Sequence, residues 1–390
     1  MHHLKSNLAP ETLSRRRFIT GLAALGLTLP FSVNALAGQV KPAQLWVSAQ
    51  GRDTDHYGLA WQSEKTAFLQ KVGSGFRGHG VIQHPLAPHK LLMLARRPGR
   101  FGIEVDLISA RINKRFICEP QRFLQGHGCF SQDGSVLYTS ESDLCSGKGL
   151  IVLRDSLSYE VLDEFESFGM GPHELKLMPE GKTLVVANGG LHTHPDSGRR
   201  ILNLATMHST LVYLDAKTGA LLEQQQVAEP KASIRHLDVA DDGTVLIAMQ
   251  LQRAAMSHSN IVALSGMHRR GSAIKMFDKP DAVVSRLNDY TGSTAINNRY
   301  RVAGFASPKG NLVAFWHIDT ANFLAYHAFH DVCGLAVSAD AQYFVLSNSR
   351  GEIRRLRAGN LQEDRQLRQQ SSGVSWDNHM IAMTLPEMGA

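Results

Sequence analysis

Gly126-His127-Gly128-Cys129-Phe130-Ser131-Gln132-Asp133-Gly134-Ser135-Val136-Leu137-Tyr138-Thr139-Ser140 reads as a histidine, a short strand, an Asp-Gly turn and a second strand. Two alternating apolar runs split by such a turn form a β-hairpin. The same order returns in residues 175–188 around Pro179-Glu180-Gly181-Lys182, in 237–250 around Asp241-Asp242-Gly243, and in 335–348 around Ala339-Asp340-Ala341. Third strands follow at 149–153 and 210–215, and 221–227 fits an outer strand. Histidines stand at the hairpin starts: His79, His127, His173, His236, His330 and His379. From the first to the last is 300 residues, and with one further start that lacks a histidine this makes six intervals with a mean of 50. That is the period of a four-stranded propeller blade.

Inner strands are expected to begin near 79, 127, 173, 236, 294, 331 and 379, which makes seven blades. The start at Thr291-Gly292-Ser293-Thr294-Ala295 carries no histidine. The strand at 379–383 has no hairpin partner after it, and the strands at 44–48 and 57–61 have no inner strand before them. Both ends therefore share one blade. The expected fold is all-β, a seven-bladed β-propeller closed by pairing of its N- and C-terminal strands, which leaves no open sheet edge. No window of useful length shows helical periodicity with caps, and the polar stretch 362–372 reads as a blade-edge loop.

The first 37 residues read as an address. Ser14-Arg15-Arg16-Arg17-Phe18-Ile19 is a twin-arginine arrangement, an apolar run extends from Gly21 to Phe31, and Ala35-Leu36-Ala37 supplies a small-x-small cleavage site. The domains are thus a twin-arginine signal peptide over 1–37 and one propeller over 38–390. The expected compartment is the periplasm, and nothing later is long and apolar enough to span a bilayer. Lys5, Arg15, Arg16 and Arg17 against Glu11 give the leader +3 of the formal +6, so the remainder holds 37 basic and 34 acidic residues. A surface so balanced gives no sign of nucleic-acid binding.

Cys118, Cys129, Cys145 and Cys333 allow two disulfides in an oxidising compartment, but not a disulfide scaffold. The absence of Cys-x-x-Cys-His excludes covalent c-type haem. Cys129, two residues after His127, reads as a small buried strand residue rather than a ligand. No Gly-x-Ser-x-Gly elbow, P-loop or His-Glu-x-x-His occurs, so hydrolase, nucleotide and zincin readings lack support.

If each histidine opens an innermost strand, all six face one mouth of the channel. Neutral imidazoles converging there suit iron or copper better than magnesium or calcium. The competing reading is structural, each ring holding its blade in register through a backbone carbonyl. Glu174, Asp238, Asp331 and Asp377 are close enough in sequence to fix histidine tautomers. His173 and His236 are the strongest ligand candidates, being flanked by Glu174 and Asp238. Arg77 and Arg235 adjoin the ring and would suit an anion, or pair with a neighbouring blade's carboxylate. The long insertion between Asn188 and Ser209 carries His192, His194, Asp196 and Arg199, which either chelate a metal or form a hydrogen-bonded turn around Pro195 over the channel.

The segment Gly189-Gly190-Leu191-His192-Thr193-His194-Pro195-Asp196-Ser197-Gly198-Arg199, with Leu202-Asn203-Leu204-Ala205-Thr206-Met207 after it, closely resembles a family signature. So do Gly171-Pro172-His173-Glu174-Leu175, Ser233-Ile234-Arg235-His236-Leu237 and Asp289-Tyr290-Thr291-Gly292-Ser293. The family is one of Tat-exported proteins defined as a domain of unknown function, in the quinoprotein amine dehydrogenase β-chain-like propeller superfamily. Its members are often encoded beside imelysin-like, iron-regulated envelope proteins and di-haem oxidoreductase-like proteins. The resemblance covers nearly all of the chain after the leader and implies a link to iron or redox-metal handling.

The expectation is a non-enzymatic periplasmic protein, monomeric, that binds iron or copper at the histidine-ringed mouth, with envelope proteins of an iron-related gene cluster as its partners. One alternative is a docking scaffold for such proteins, with structural histidines. The other, resting on the superfamily alone, is an oxidoreductase subunit.

Overall fold

The computed structural model describes residues 43–385 except Ala67 and Arg199. The leader, its cleavage site and the Arg199 candidate therefore lie outside the described residues. The rest forms seven four-stranded antiparallel sheets. Their innermost strands are Gly78–Gln83, Arg122–Phe130, Pro172–Leu177, Ala232–Val239, Ser293–Asn297, Val332–Val337 and Ile381–Thr384, here β1 to β7 of blades I to VII. These follow the predicted starts to within a few residues.

Ring closure is as the sequence implied. β7 pairs antiparallel with the strand Gln44–Gln50, Trp46 standing opposite Ala382, and Gly58–Ser63 and Leu69–Gly73 complete blade VII. Side chains reinforce the seam, with Ala339 N–H donating to Gln44 Oε1 at 2.7 Å and Trp46 Nε1 to Gln369 Oε1 at 3.1 Å.

Alternation along each strand puts apolar residues on both faces, so each sheet buries both faces against its neighbours. The core is accordingly divided into seven clusters, one per blade interface. At the seam this is Trp46, Ala60, Val345, Ile353, Trp376 and Met380. Outer strands alternate between exposed and half-buried, as in Arg111–Ile117 and Leu221–Gln226.

Two details differ from the sequence reading. The stretch 362–372 is not only a loop: it supplies a 3-10 turn, Arg365–Leu367, and the outer strand Gln369–Gln370 of blade VI, paired through Ile353 and Gln369. The four cysteines are free thiols, with Cys145 exposed and the others buried, so the two disulfides that an even count allowed are not formed. Cys129 is a buried strand residue whose thiol burial pushes up to about 12. No helix among the described residues is long and apolar enough to cross a membrane.

Candidate functional site

The inner strands of blades I to IV share a local irregularity in their pairing with the second strand. The β-ladder slips between Gly78 and Val81 in β1, Leu124 and Gly128 in β2, Pro172 and Glu174 in β3, and Ile234 and His236 in β4. Each slip brackets or adjoins a histidine. A bulge leaves one residue unpaired and turns its side chain away from the pleat, here toward the axis. In blade VII the turning is done by His379 itself, at φ 67° just before β7.

Glycines make the approach possible. A Cβ on Gly126, at φ 107°, would lie 2.6 Å from His79 Cδ2, and one on Gly80 would lie 2.5 Å from the Gly126 carbonyl. The Gly-His-Gly pattern is thus a packing requirement of two imidazoles meeting across a blade interface. Ser140 Oγ ties the same region together, reaching the carbonyls of His127 at 3.1 Å and His173 at 3.3 Å.

Five of the six candidate histidines converge. Ring centroids of His79 lie 4.7 Å from His127, 5.3 Å from His173, 6.1 Å from His236 and 4.6 Å from His379. His173 to His236 is 4.8 Å and His236 to His379 is 4.3 Å. His79, His127, His173 and His236 are buried and His379 nearly so. His330 is not among them: it is exposed, in the turn before β6, where its carbonyl accepts from Asn348 Nδ2. The bulge of β6 falls between Val332 and Leu335, so Cys333-Gly334 occupies the place that His79-Gly80 has in blade I. A search for residue-plus-glycine at strand starts, rather than for histidine alone, would have separated the two.

The acids serve different partners from those nearest in sequence. Glu174 turns away from His173 and faces His236 Nδ1 at 3.2 Å, the Leu237 N–H at 3.1 Å and His127 Nδ1 at 3.7 Å. Asp238 accepts from the Ile296 N–H at 2.7 Å and lies 3.9 Å from Lys176, not on His236. Asp331 takes the Ser349 hydroxyl, and Asp377 pairs with Arg77 at 2.7 Å. Arg77 is thereby committed to a blade-to-blade ion pair, while Arg235 stays at the mouth, buried and 3.3 Å from Gln250 Oε1. In the insertion, His194 Nδ1 accepts from the Asp196 N–H and caps the 3-10 turn Pro195–Ser197. Asp196 itself is exposed, and the His192 N–H donates to Asn203 Oδ1. The insertion reaches the channel mouth through Thr193 and Gly198.

Burial sets the charge state. It pushes His79, His173 and His379 well below the ordinary imidazole value, and His127 to about 4 despite Glu174. His236 is also lowered by burial, against the pull of Glu174. Burial alone would raise Glu174, but His127, Lys176 and the hydrogen bond with His236 hold it well below the ordinary carboxylate value. With the imidazoles neutral, the Lys176 ammonium at 3.6 Å is the cation that keeps it ionised.

Five ring nitrogens here have no hydrogen-bond partner: Nδ1 and Nε2 of His79, Nε2 of His127, Nδ1 of His173 and Nε2 of His379. An unsatisfied buried polar atom costs about 1–3 kcal/mol, so such a concentration calls for a ligand. Donor atoms of His79, His127 and His173 all lie within 4.8 Å of one another, as do those of His127, Glu174, His236 and His379. Two nitrogens trans across an ion at about 2.1 Å are about 4.2 Å apart, so small rotamer changes suffice.

Comparison with known proteins places this geometry in a family. The family described as "Protein of unknown function (DUF1513)" matches residues 74–383, which include all five converging histidines. The chain belongs to the DUF1513 family. Curated proteins give no match to it. Among solved structures the DUF1513 chain is similar to hydrazine synthase of Kuenenia stuttgartiensis, with a TM-score of 0.61 and 13% identity over 78% of this chain and 90% of that one. At that identity the likeness extends to the propeller fold alone.

Sequence reasoning missed several residues beside the cluster. Lys176 sits two residues after Glu174 on the same strand face, a spacing visible in the sequence. Arg96, Arg97, Gln250, Tyr290 and Lys309 come from turns and strands of other blades and line the mouth above His79 and His173. Tyr290 lies in the quoted motif over 289–293, but no local pattern announces the set, because ring closure brings it together.

Proposed function

We propose that this DUF1513 protein binds one transition-metal ion through the three imidazoles of His79, His127 and His173, with His236, His379 and Glu174 packed beside them as tautomer-fixing and alternative ligands. The reading is carried by the unpartnered ring nitrogens, four of which belong to these three residues. Neutral imidazoles already desolvated by the fold lose no proton on binding an ion, and they favour late first-row metals over oxygen-seeking cations. Copper(II) is the ion that the intrinsic order of affinities favours. Iron is the alternative that the sequence resemblance implied. Three protein ligands leave a coordination position open toward the mouth, as in sites that exchange a ligand. The twin-arginine leader supports a periplasmic setting, where the protein would serve metal handling rather than turnover.

The test is metal analysis of protein purified from the periplasm, followed by titration of metal-free protein with copper and iron. One equivalent should bind saturably, and His127→Ala with His173→Ala should abolish it while leaving the β-sheet circular dichroism unchanged. Protein that arrives empty and takes up neither metal overturns the reading.

A further inference from the structure

Two cavities of the channel adjoin the converging histidines. One, of about 150 Å³, lies at the mouth and is lined by His79, His173 and His236 together with Thr193 of the insertion. The other, of about 190 Å³, is lined by His127, Glu174, His236 and His379. Cys129, Lys176, Leu237 and Ile381 also line it, and they follow the histidines by one to three residues along the inner strands. Those strands all start at the mouth, so the second cavity continues the channel past the rings. Its four donor residues are also the second group whose ligand atoms lie within 4.8 Å of one another.

This group has what the three imidazoles lack. His127 Nδ1 and His236 Nδ1 both face the Glu174 carboxylate, 3.7 Å from Oε1 and 3.2 Å from Oε2, and Nε2 of His127 and of His379 is buried without a partner. Among the described residues Glu174 is the one acid lining either cavity. A dication stripped of water among neutral rings has no compensating charge, whereas here it meets a carboxylate. Lys176 stands on that carboxylate now, its Nζ 3.6 Å from Glu174 Oε1 and 3.9 Å from Asp238 Oδ1. The other oxygen of Asp238 is anchored by the Ile296 N–H at 2.7 Å. An ammonium set between two carboxylates keeps one when an ion takes the other. While it stays on Glu174, the position is the weaker of the two. His127 belongs to both groups, and a neutral imidazole has one lone pair to give, so the positions exclude each other.

We infer that the ion has a second position farther along the channel, held by His127, Glu174, His236 and His379, which it occupies in place of the first by displacing the Lys176 ammonium toward Asp238. For its first position the inference rests on the three-imidazole site of the proposed function. The second position has ligands of its own, so the two can fail separately.

Metal-free wild type and variants are titrated with copper(II), and the coordinated imidazoles are counted by pulsed electron paramagnetic resonance. Wild type should bind one equivalent. His79→Leu with His173→Leu, which removes the ligands at the mouth, should still bind one equivalent, at least ~10-fold more weakly because the ammonium opposes the ion. A further Glu174→Gln should abolish that binding. Lys176→Met in the same double variant, at a side chain 38% exposed, should tighten it by at least ~10-fold. His236→Leu with His379→Leu should bind through three imidazoles. If H79L/H173L fails to fold, H79L alone carries the same comparisons with E174Q and K176M. No copper on H79L/H173L, with wild type and H236L/H379L still binding, overturns the second position and leaves the first. Copper binding there that ignores both E174Q and K176M does the same. Two equivalents on wild type overturn the mutual exclusion. Copper on H79L/H173L but not on H236L/H379L supports the second position and removes the three-imidazole site. No copper on any of them overturns both.

Discussion

Replacing His79 by leucine should make the metal-free protein more stable, an unusual direction for a buried residue. His79 is 3% exposed and neither ring nitrogen has a partner. Removing two such atoms recovers about 1–3 kcal/mol by the lower range for a single group. Against this stands repacking in a tight space, with the His379 and His127 rings 4.6 and 4.7 Å away, which costs up to about 1.5 kcal/mol for a swap of similar volume. The net gain is about 1 kcal/mol. With unfolding entropy near 2 cal/mol/K per residue over the ring, that raises the Tm by about 1–2 °C. Copper reverses the order: at about 100 times the Kd the wild type gains about 2.7 kcal/mol, whereas H79L has lost one of three ligands. Scanning calorimetry of both proteins, with chelator and with copper, reads the crossing directly. A metal-free H79L that melts several degrees below wild type refutes the reasoning, because the imidazole would then be holding the blades rather than waiting for a ligand.

Three further outcomes are expected. Stability of the metal-free protein should fall on acidification. The folded-state pKa values of His79, His173 and His379 lie well below the ordinary value and that of His127 at about 4. Unfolded chain therefore takes up protons that folded chain refuses, and the stabilisation present above pH ~6.5 is lost by up to about 1.4 kcal/mol per pH unit for each group; urea melts with the same midpoint at pH 7.5 and pH 5 would contradict this. Gly126→Ala places a Cβ 2.6 Å from His79 Cδ2 at a φ of 107°. It should cost about 2 kcal/mol and weaken copper binding by at least ~10-fold, seen in chemical denaturation and metal titration. Glu174→Gln removes the anion beside His127, His236 and Lys176; since the Lys176 side chain is 38% exposed and can turn to water, the loss should be only about 1–3 kcal/mol, with copper affinity down by ~10–100-fold.

The blades and their closure were legible because hairpin grammar is local: Asp133-Gly134 and Asp242-Gly243 announce turns wherever they stand, and unpaired strands at the two ends of the pattern imply their own pairing. The histidine period found five converging rings for the same reason. It failed at His330 because it counted a residue type, whereas the structure repeats a backbone event, the bulge, which Cys333 occupies in blade VI. Partner choice was less legible. Glu174 adjoins His173 in sequence, yet successive residues on a strand point to opposite sides, so it serves His236 and His127 of the neighbouring blades. The cations of the mouth were invisible as a set, since Arg96, Arg235 and Lys309 meet only through the curvature of the ring.

His79 and His379 stand 300 residues apart in the sequence and 4.6 Å apart in space, and the distance closes only when β7 docks beside the strand at Trp46. A chain still emerging from the ribosome already contains His79, His127 and His173, but has no opposite wall to press them together or to shut water out. Their neutrality, their closeness and their want of partners are all products of the completed circle. Any ion held there is captured by a finished toroid and never by a nascent one, so occupancy doubles as a certificate that synthesis and folding have ended.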